Sequence, residues 1–317
     1  MLALRWQVRD KLWVGEKSLQ ESERADRAGK DETKYAVEFL FGCIARQTGL
    51  FKTQLADGIM GMSADKHTLI WQMVESGIIK DRVFSLCYSA KGGTMVLGGH
   101  DDRLNKKGAV MKYTPMTKQA GWFSVKVLDI SLGGISIGVS PSVYQSGKGT
   151  IVDSGTTDTY LPKAAASGFK RAWKAATGKD FSNCANGEFC YRLTPTEVQA
   201  LPVFRVHLDG GVIVDVRPSV YMDSNDKGNQ YAPRLYMTER GGGVLGANVM
   251  QDHNVVFDHT NGRVGFAQAN CDYDPAGNLA TEPERNQEQE QAELDVDCVL
   301  SESHYTSRCN AKCPLGL

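Results

Sequence analysis

The chain has 317 residues, enough for one large domain or two modest ones. Its 36 Lys and Arg against 37 Asp and Glu leave a formal net charge of −1, with no basic stripe of the kind a nucleic acid needs. The 41% hydrophobic and 23% charged residues are those of an ordinary folded protein, and no apolar run approaches membrane-spanning length.

The start, Met1-Leu2-Ala3-Leu4-Arg5-Trp6, is too short and too soon charged for a secretory signal. Lys11-Leu12-Trp13-Val14 and Tyr35 to Cys43 read as strands, and the charged stretch Glu21 to Lys34 between them as an exposed insertion. Residues 66–79 carry helical spacing, with Leu69, Gln72, Met73 and Gly77 on one face and Ile70 and Val74 widening it. Val83 to Tyr88 and Thr94 to Gly99 are strands bracketing a turn at Lys91-Gly92-Gly93. Phe123 to Ile137 alternates and breaks at Gly133-Gly134, a two-residue hairpin signal. Residues 163–177 form a helix ending near Gly178, and Thr194-Pro195-Thr196-Glu197 is a capping box with proline at the first helical position. Gly241-Gly242-Gly243 is followed by no Gly-Lys-Ser/Thr and reads as a flexible lead-in to a strand at Val244. Val255-Val256-Phe257 and Val264-Gly265-Phe266 flank another hairpin signal, Asn261-Gly262. Many short strands with few helices make the fold mostly β. From Asp272 the composition changes, and residues 282–297 are rich in Glu and Gln without aromatics, as in a solvated, disordered tail.

The eight cysteines include no CxxC pair, and the six histidines no HExxH, so no metal site is expected and a disulfide protein is. No Asn-x-Ser/Thr sequon and no Gly-x-Ser-x-Gly elbow occurs.

One turn carries chemistry. Gly149-Thr150-Ile151-Val152-Asp153-Ser154-Gly155-Thr156-Thr157 places an aspartate on a tight, hydroxyl-rich turn directly after an apolar strand. By itself such an aspartate is more often a cap or turn residue. Its company reverses that. Ala56-Asp57-Gly58-Ile59-Met60-Gly61-Met62, Phe84-Ser85-Leu86-Cys87, Val96-Leu97-Gly98-Gly99-His100-Asp101, Trp122-Phe123-Ser124-Val125, Val244-Leu245-Gly246-Ala247-Asn248, Val255-Val256-Phe257-Asp258 and Arg263-Val264-Gly265-Phe266-Ala267 occur in order. Together they resemble a pepsin-like (A1 family) aspartic protease over about residues 6–273.

The resemblance implies a mostly-β, bilobal pepsin-like fold. Residues 1–120 would hold the C-terminal part of the first lobe and the inter-lobe strands. Residues 121–273 would be an intact second lobe, and 274–317 a tail. It implies aspartic endopeptidase action on peptides with hydrophobic residues beside the cut, at acidic pH, without a cofactor, in an extracellular or endomembrane lumen. Asp153 is the implied catalytic carboxylate. Thr156 would orient it, Ser154 would help hold two catalytic loops together, and Gly155 would form the turn. Thr157, Asp158 and Tyr160 follow as substrate-contacting candidates; Asp158 and Tyr160 equally fit polar side chains at a helix entrance. Cys87 is expected to pair with Cys271 and Cys184 with Cys190, leaving Cys43, Cys298, Cys309 and Cys313 unassigned. The family uses two aspartates, yet no second Asp-Thr-Gly or Asp-Ser-Gly occurs here. Asp10, Asp26 and Asp31 sit in charged settings and read as surface groups. The expectation is thus a first lobe without its front half, flap and first catalytic loop. Alone it would be inactive unless two copies combine; the alternative is an inactive pepsin-fold binding or inhibitor protein.

Overall fold

The computed structural model describes residues 3–13, 36–46, 48–52, 58–90, 92–117, 121–184 and 188–272. The insertion Glu21 to Lys34, Asp57, Asn186-Gly187 and the tail with Cys298, Cys309 and Cys313 lie outside them. The chain divides into two compact units, one within residues 1–80 and one within 81–275.

In the first unit Ala3–Trp13 (β1) and Ala36–Arg46 (β2) pair antiparallel along their length, from Ala3 beside Arg46 to Trp13 beside Ala36. Phe39 and Phe41, two apart and so on one face, stack at 6.3 Å. The expected helix over 66–79 is shorter, Leu69–Glu75, and buries Leu69, Ile70 and Met73. Both ends have a local cause. The Asp65 carboxylate accepts from the His67 backbone N–H at 2.8 Å, and its carbonyl accepts the Thr68 hydroxyl at 2.8 Å, which holds the first turn out of the helix. Ser76 and the left-handed Gly77 then end it. Gly58 to Met62 form no strand, and Ile59 and Met60 are 61% and 43% exposed. Among the described residues of this unit β1 and β2 pair only with each other.

The second unit opens with Val83–Ser89 (β3), Gly92–Leu97 (β4) and Lys112–Pro115 (β5). Ser124–Val125 (β6), Val127–Leu132 (β7), Ile135–Ser136 (β8), Thr150–Val152 (β9) and Thr159–Pro162 (β10) follow. Beyond the helix Ala166–Thr177 come Tyr191–Arg192 (β11), Phe204–Leu208 (β12), Val212–Val216 (β13) and Met222–Ser224 (β14). Gln230–Pro233 (β15), Leu235–Glu239 (β16), Gly243–Leu245 (β17), His253–Asp258 (β18) and Arg263–Gln268 (β19) complete it. They form sheets of order β4-β3-β18-β19-β5, β13-β12-β7-β8, β16-β10-β17-β9-β6 and β11-β15-β14. The pepsin-like, mostly-β expectation holds.

Two aromatic clusters fill the interior. Phe257 stacks on Phe84 at 4.7 Å and meets Phe123 edge-on at 4.8 Å. Trp173, on the buried face of helix Ala166–Thr177, packs with Phe169, Phe181 and Tyr221. The capping box forms as expected, with Glu197 N–H donating to the Thr194 hydroxyl and Thr194 N–H to the Glu197 carboxylate. Both expected disulfides are present, Cys87–Cys271 and Cys184–Cys190, and they suit an oxidising compartment. At the β18–β19 turn, burial alone would push the Asp258 carboxyl up. Bonds from Asn261 and from Arg263, at 2.7 Å, outweigh it and hold the group below its ordinary value.

Two glycine-rich runs differ from expectation. Gly92 and Gly93 belong to β4 rather than to the turn, paired with Ser89 and Tyr88 of β3, and a Cβ on Gly93 would lie 2.4 Å from the Cys87 carbonyl oxygen. Gly241 to Gly243 is a packed joint, not a flexible lead-in. Gly242 has φ +68°, donates to the Ser146 hydroxyl at 3.1 Å, and leaves no room for a Cβ against the Gly149 carbonyl.

His253 opens β18 in the core, 3% exposed. Its Nδ1–H donates to the Gln251 carbonyl at 3.0 Å, while Nε2 has no hydrogen-bond partner among the described residues. Burial holds the imidazole below its ordinary 6.5; Gln251, Asp252 and Asp215 oppose this, and Lys106 adds to it. Below 6.5 the unfolded chain therefore binds the extra proton, so this contribution is whole above pH 6.5 and is lost as pH falls toward the depressed value. The wild type is expected to lose up to about 1.4 kcal/mol per pH unit more than His253→Gln across that interval. Urea midpoints at stepped pH measure it; equal slopes in the two proteins would contradict the assignment. His259, lowered by burial too, is common to both and cancels.

Candidate active site

The turn that follows β9 is built by strand crossing. β17 lies between β9 and β10, parallel to β9 and antiparallel to β10, so it holds apart the two strands that flank the turn. Asp153 N–H donates to the Leu245 carbonyl at 3.0 Å, and Val152 N–H to that of Phe123 at 3.0 Å. At the far side Ala247 N–H donates to Thr156 O at 2.7 Å and Asn248 N–H to Thr157 O at 3.1 Å. Gly246 makes this approach possible: a Cβ there would sit 2.2 Å from Asp158 O and 2.5 Å from Thr156 O, both backbone atoms. Asn248 then ties three segments, accepting the Thr159 hydroxyl at 2.7 Å and donating to Arg234 O at 2.9 Å.

The turn aims its donors at the aspartate. Gly155 N–H donates to Asp153 Oδ1 at 3.0 Å, and the Thr156 hydroxyl to Oδ2 at 2.7 Å. Each carboxylate oxygen thus has one fixed donor, and the half-buried group is oriented without a cation. Ser154, Gly155 and Thr157 are exposed around it. The Ser154 hydroxyl faces the half-buried Tyr88 phenol of β3; burial raises that phenol and Ser154 partly offsets the rise.

Of the residues singled out in the sequence, Asp153, Ser154, Gly155 and Thr156 come together in one turn. Thr157 and Asp158 continue it, and Tyr160 lies two residues into β10. There Tyr160 pairs with Tyr236 of β16, and their rings stack at 5.2 Å. Asp158 is half-buried; burial raises its carboxyl, Arg234 opposes the rise and Asp223 adds to it. Tyr88, Arg234, Asp223 and Tyr236 carry no local signal, since each reaches this neighbourhood from a segment remote in sequence. Cys184–Cys190 and Cys87–Cys271 are structural bridges outside the turn. No cluster of three His, Cys, Asp or Glu with metal-binding geometry occurs among the described residues, and none of their helices is long and apolar enough to cross a membrane.

Comparison with known proteins gives the same direction. The profile of the eukaryotic aspartyl protease family matches residues 35–269. The chain is 29% identical to aspartic proteinase 36 of Arabidopsis thaliana over 248 residues, 74% of this chain and 50% of that protein. It is 32% identical to a beta-secretase of Strongylocentrotus purpuratus over 200 residues, 56% of this chain and 36% of that one. It is 29% identical to gastricsin of Oryctolagus cuniculus over 226 residues, 67% and 54% of the two. The chain spans about half the length of the first of these relatives.

Proposed function

The chain belongs to the eukaryotic aspartyl protease family, and from that premise we propose that it acts in aspartic endopeptidase chemistry, with Asp153 as one of two carboxylates that activate a water. The observation that carries this reading is the Asp153 carboxylate itself, oriented by Gly155 N–H and Thr156 Oγ1 on a turn opened to solvent. Two carboxylates held close cannot both ionise cheaply, so one keeps a proton. The ionised member takes a proton from a water between them, and the protonated member polarises the scissile carbonyl. Thr156 fixes Asp153 Oδ2, Gly155 N–H fixes Oδ1, and Ser154 helps hold two catalytic loops together. Thr157, Asp158 and Tyr160 line the path of an extended peptide with hydrophobic residues beside the cut.

The Asp153-Ser154-Gly155 run is the one Asp-Thr/Ser-Gly motif of this chain. In this reading the second carboxylate comes from another segment or from a second copy. The single motif also favours a second reading, a pepsin-fold binding or inhibitor protein. The disulfides are consistent with work in an extracellular or endomembrane lumen.

Acid-dependent cleavage of a denatured protein by the chain and by Asp153→Asn tests this. Little cleavage is expected from the monomer. Whatever activity a dimer has should fall by about a thousandfold in the variant. Cleavage that survives Asp153→Asn would remove Asp153 from the chemistry. Peptide binding at the turn, seen as shifts of the Gly155 and Thr156 amide signals but never accompanied by cleavage at any chain concentration, would favour the binding protein.

A further inference from the structure

Beside the Asp153 turn stands a small acidic and aromatic face that the water-activating chemistry does not use. Tyr160 of β10 and Tyr236 of β16 are register partners, and their rings stack at 5.2 Å with planes 20° apart. Neither ring is buried, so the pair presents a flat π-faced wall. Two residues before each tyrosine lie Asp158 and Arg234, and the backbones stay adjacent there, Thr159 N–H donating to Arg234 O at 3.2 Å. Arg234 is committed. Its guanidinium forms an ion pair with Asp223 and also engages Tyr236. Asp158 is different. It is half-buried and feels Arg234 only through the field, and among the described residues no donor hydrogen-bonds its carboxylate. A carboxylate that no protein donor occupies stays free to bond a donor brought by a ligand.

We propose that Asp158, Tyr160 and Tyr236 form a subsite for a lysine or arginine side chain of the bound peptide. The aliphatic stem lies along the tyrosine wall, and the cationic head bonds Asp158 with the ring faces beneath it. With both carboxylates ionised, Asp158, Asp223 and Arg234 sum to one negative charge. An acidic side chain entering here would meet two carboxylates and a guanidinium already paired with Asp223. The remaining charged neighbours are Glu239, which acts on Tyr160, and Lys148, which is paired with Glu239. This subsite rests on the Asp153 turn as the place where peptide binds. It adds a basic residue at a distance from the hydrophobic residues beside the cut. The preference also has a pH sense. Burial raises the Asp158 carboxyl, so on acidification this group takes up a proton earlier than an exposed aspartate does, and selection for the cation fades with it.

The test is an amide NMR titration of the whole chain with three blocked pentapeptides, acetyl-Ala-Ala-Xaa-Ala-Ala-amide, Xaa being lysine, norleucine or glutamate. The lysine peptide is expected to bind about fivefold more tightly than the norleucine peptide, and the glutamate peptide more weakly than either. Shifts should centre on Thr159 to Leu161 and Leu235 to Met237. Asp158→Asn should bring lysine down to the norleucine value and leave norleucine unchanged. Should that variant fold poorly, judged by its β18 and β19 amides, the wild type decides alone: the lysine-to-norleucine ratio must fall toward one as pH drops. Equal binding of lysine and norleucine near neutral pH, or a ratio untouched by Asp158→Asn or by acid, overturns the subsite. Lysine-selective binding that leaves the Gly155 and Thr156 signals still keeps the cation preference and counts instead against the Asp153 turn as the peptide site.

Discussion

Removing the Cys87–Cys271 bridge is expected to cost about 3–5 kcal/mol, with both residues changed to alanine. The bridge joins β3 to the residues just beyond β19, 184 positions apart in sequence. A crosslink that closes so long a loop removes much of the freedom of the unfolded chain. Both cysteines are buried with Leu104 and Ala269, so the alanine pair also leaves a void in that cluster. The comparison that isolates the effect is Cys184→Ala with Cys190→Ala, a separation of 6, expected to cost about 2 kcal/mol. Urea unfolding of the three proteins under oxidising conditions measures both. A short-loop variant as damaged as the long-loop one would show that local packing, not loop closure, dominates.

The second large effect is expected from Gly246→Ala, a single added methyl that should destabilise by about 3–4 kcal/mol. The added carbon would meet Asp158 O at 2.2 Å and Thr156 O at 2.5 Å. Neither atom is the end of a flexible side chain, so the turn itself must move. That movement breaks the bonds from Ala247 N–H to Thr156 O and from Asn248 N–H to Thr157 O. It also shifts Thr156, whose hydroxyl holds Asp153. The variant should thus lose peptide binding and amide protection at Thr156 to Asp158 even where far-ultraviolet circular dichroism reports a folded chain. A cost under about 1 kcal/mol would mean the turn has slack that the close approach does not suggest.

Much of this was legible in the chain itself. Alternating apolar residues and two-residue turns marked β7 and β8, because period-two alternation and paired glycines follow from local strand geometry. The capping box at Thr194 and the helix end at Gly178 were equally local. The Asp153 turn was readable because its donors, Gly155 and Thr156, lie two and three residues from the carboxylate they hold. Helix Leu69–Glu75 was over-extended because an Asp65 side chain outcompeted the apolar spacing at its start. Gly241 to Gly243 reads as flexible in sequence because a glycine that admits a neighbouring backbone and one that merely bends look alike there.

The sequence by itself determined the local pieces: strand period, caps, turns, the aspartate with its own donors, and the family to which their order belongs. Only the tertiary structure decided which remote strands became neighbours. It laid β17 between β9 and β10, joined β3 to β18, and stacked Tyr160 on Tyr236, with Asp158 left without a donor among the described residues. It also buried His253 with one nitrogen unpaired among the described residues. Local patterns are written in backbone geometry that repeats every two or four residues. Pairing between strands tens to hundreds of residues apart is chosen by packing of the whole core, which no short window contains.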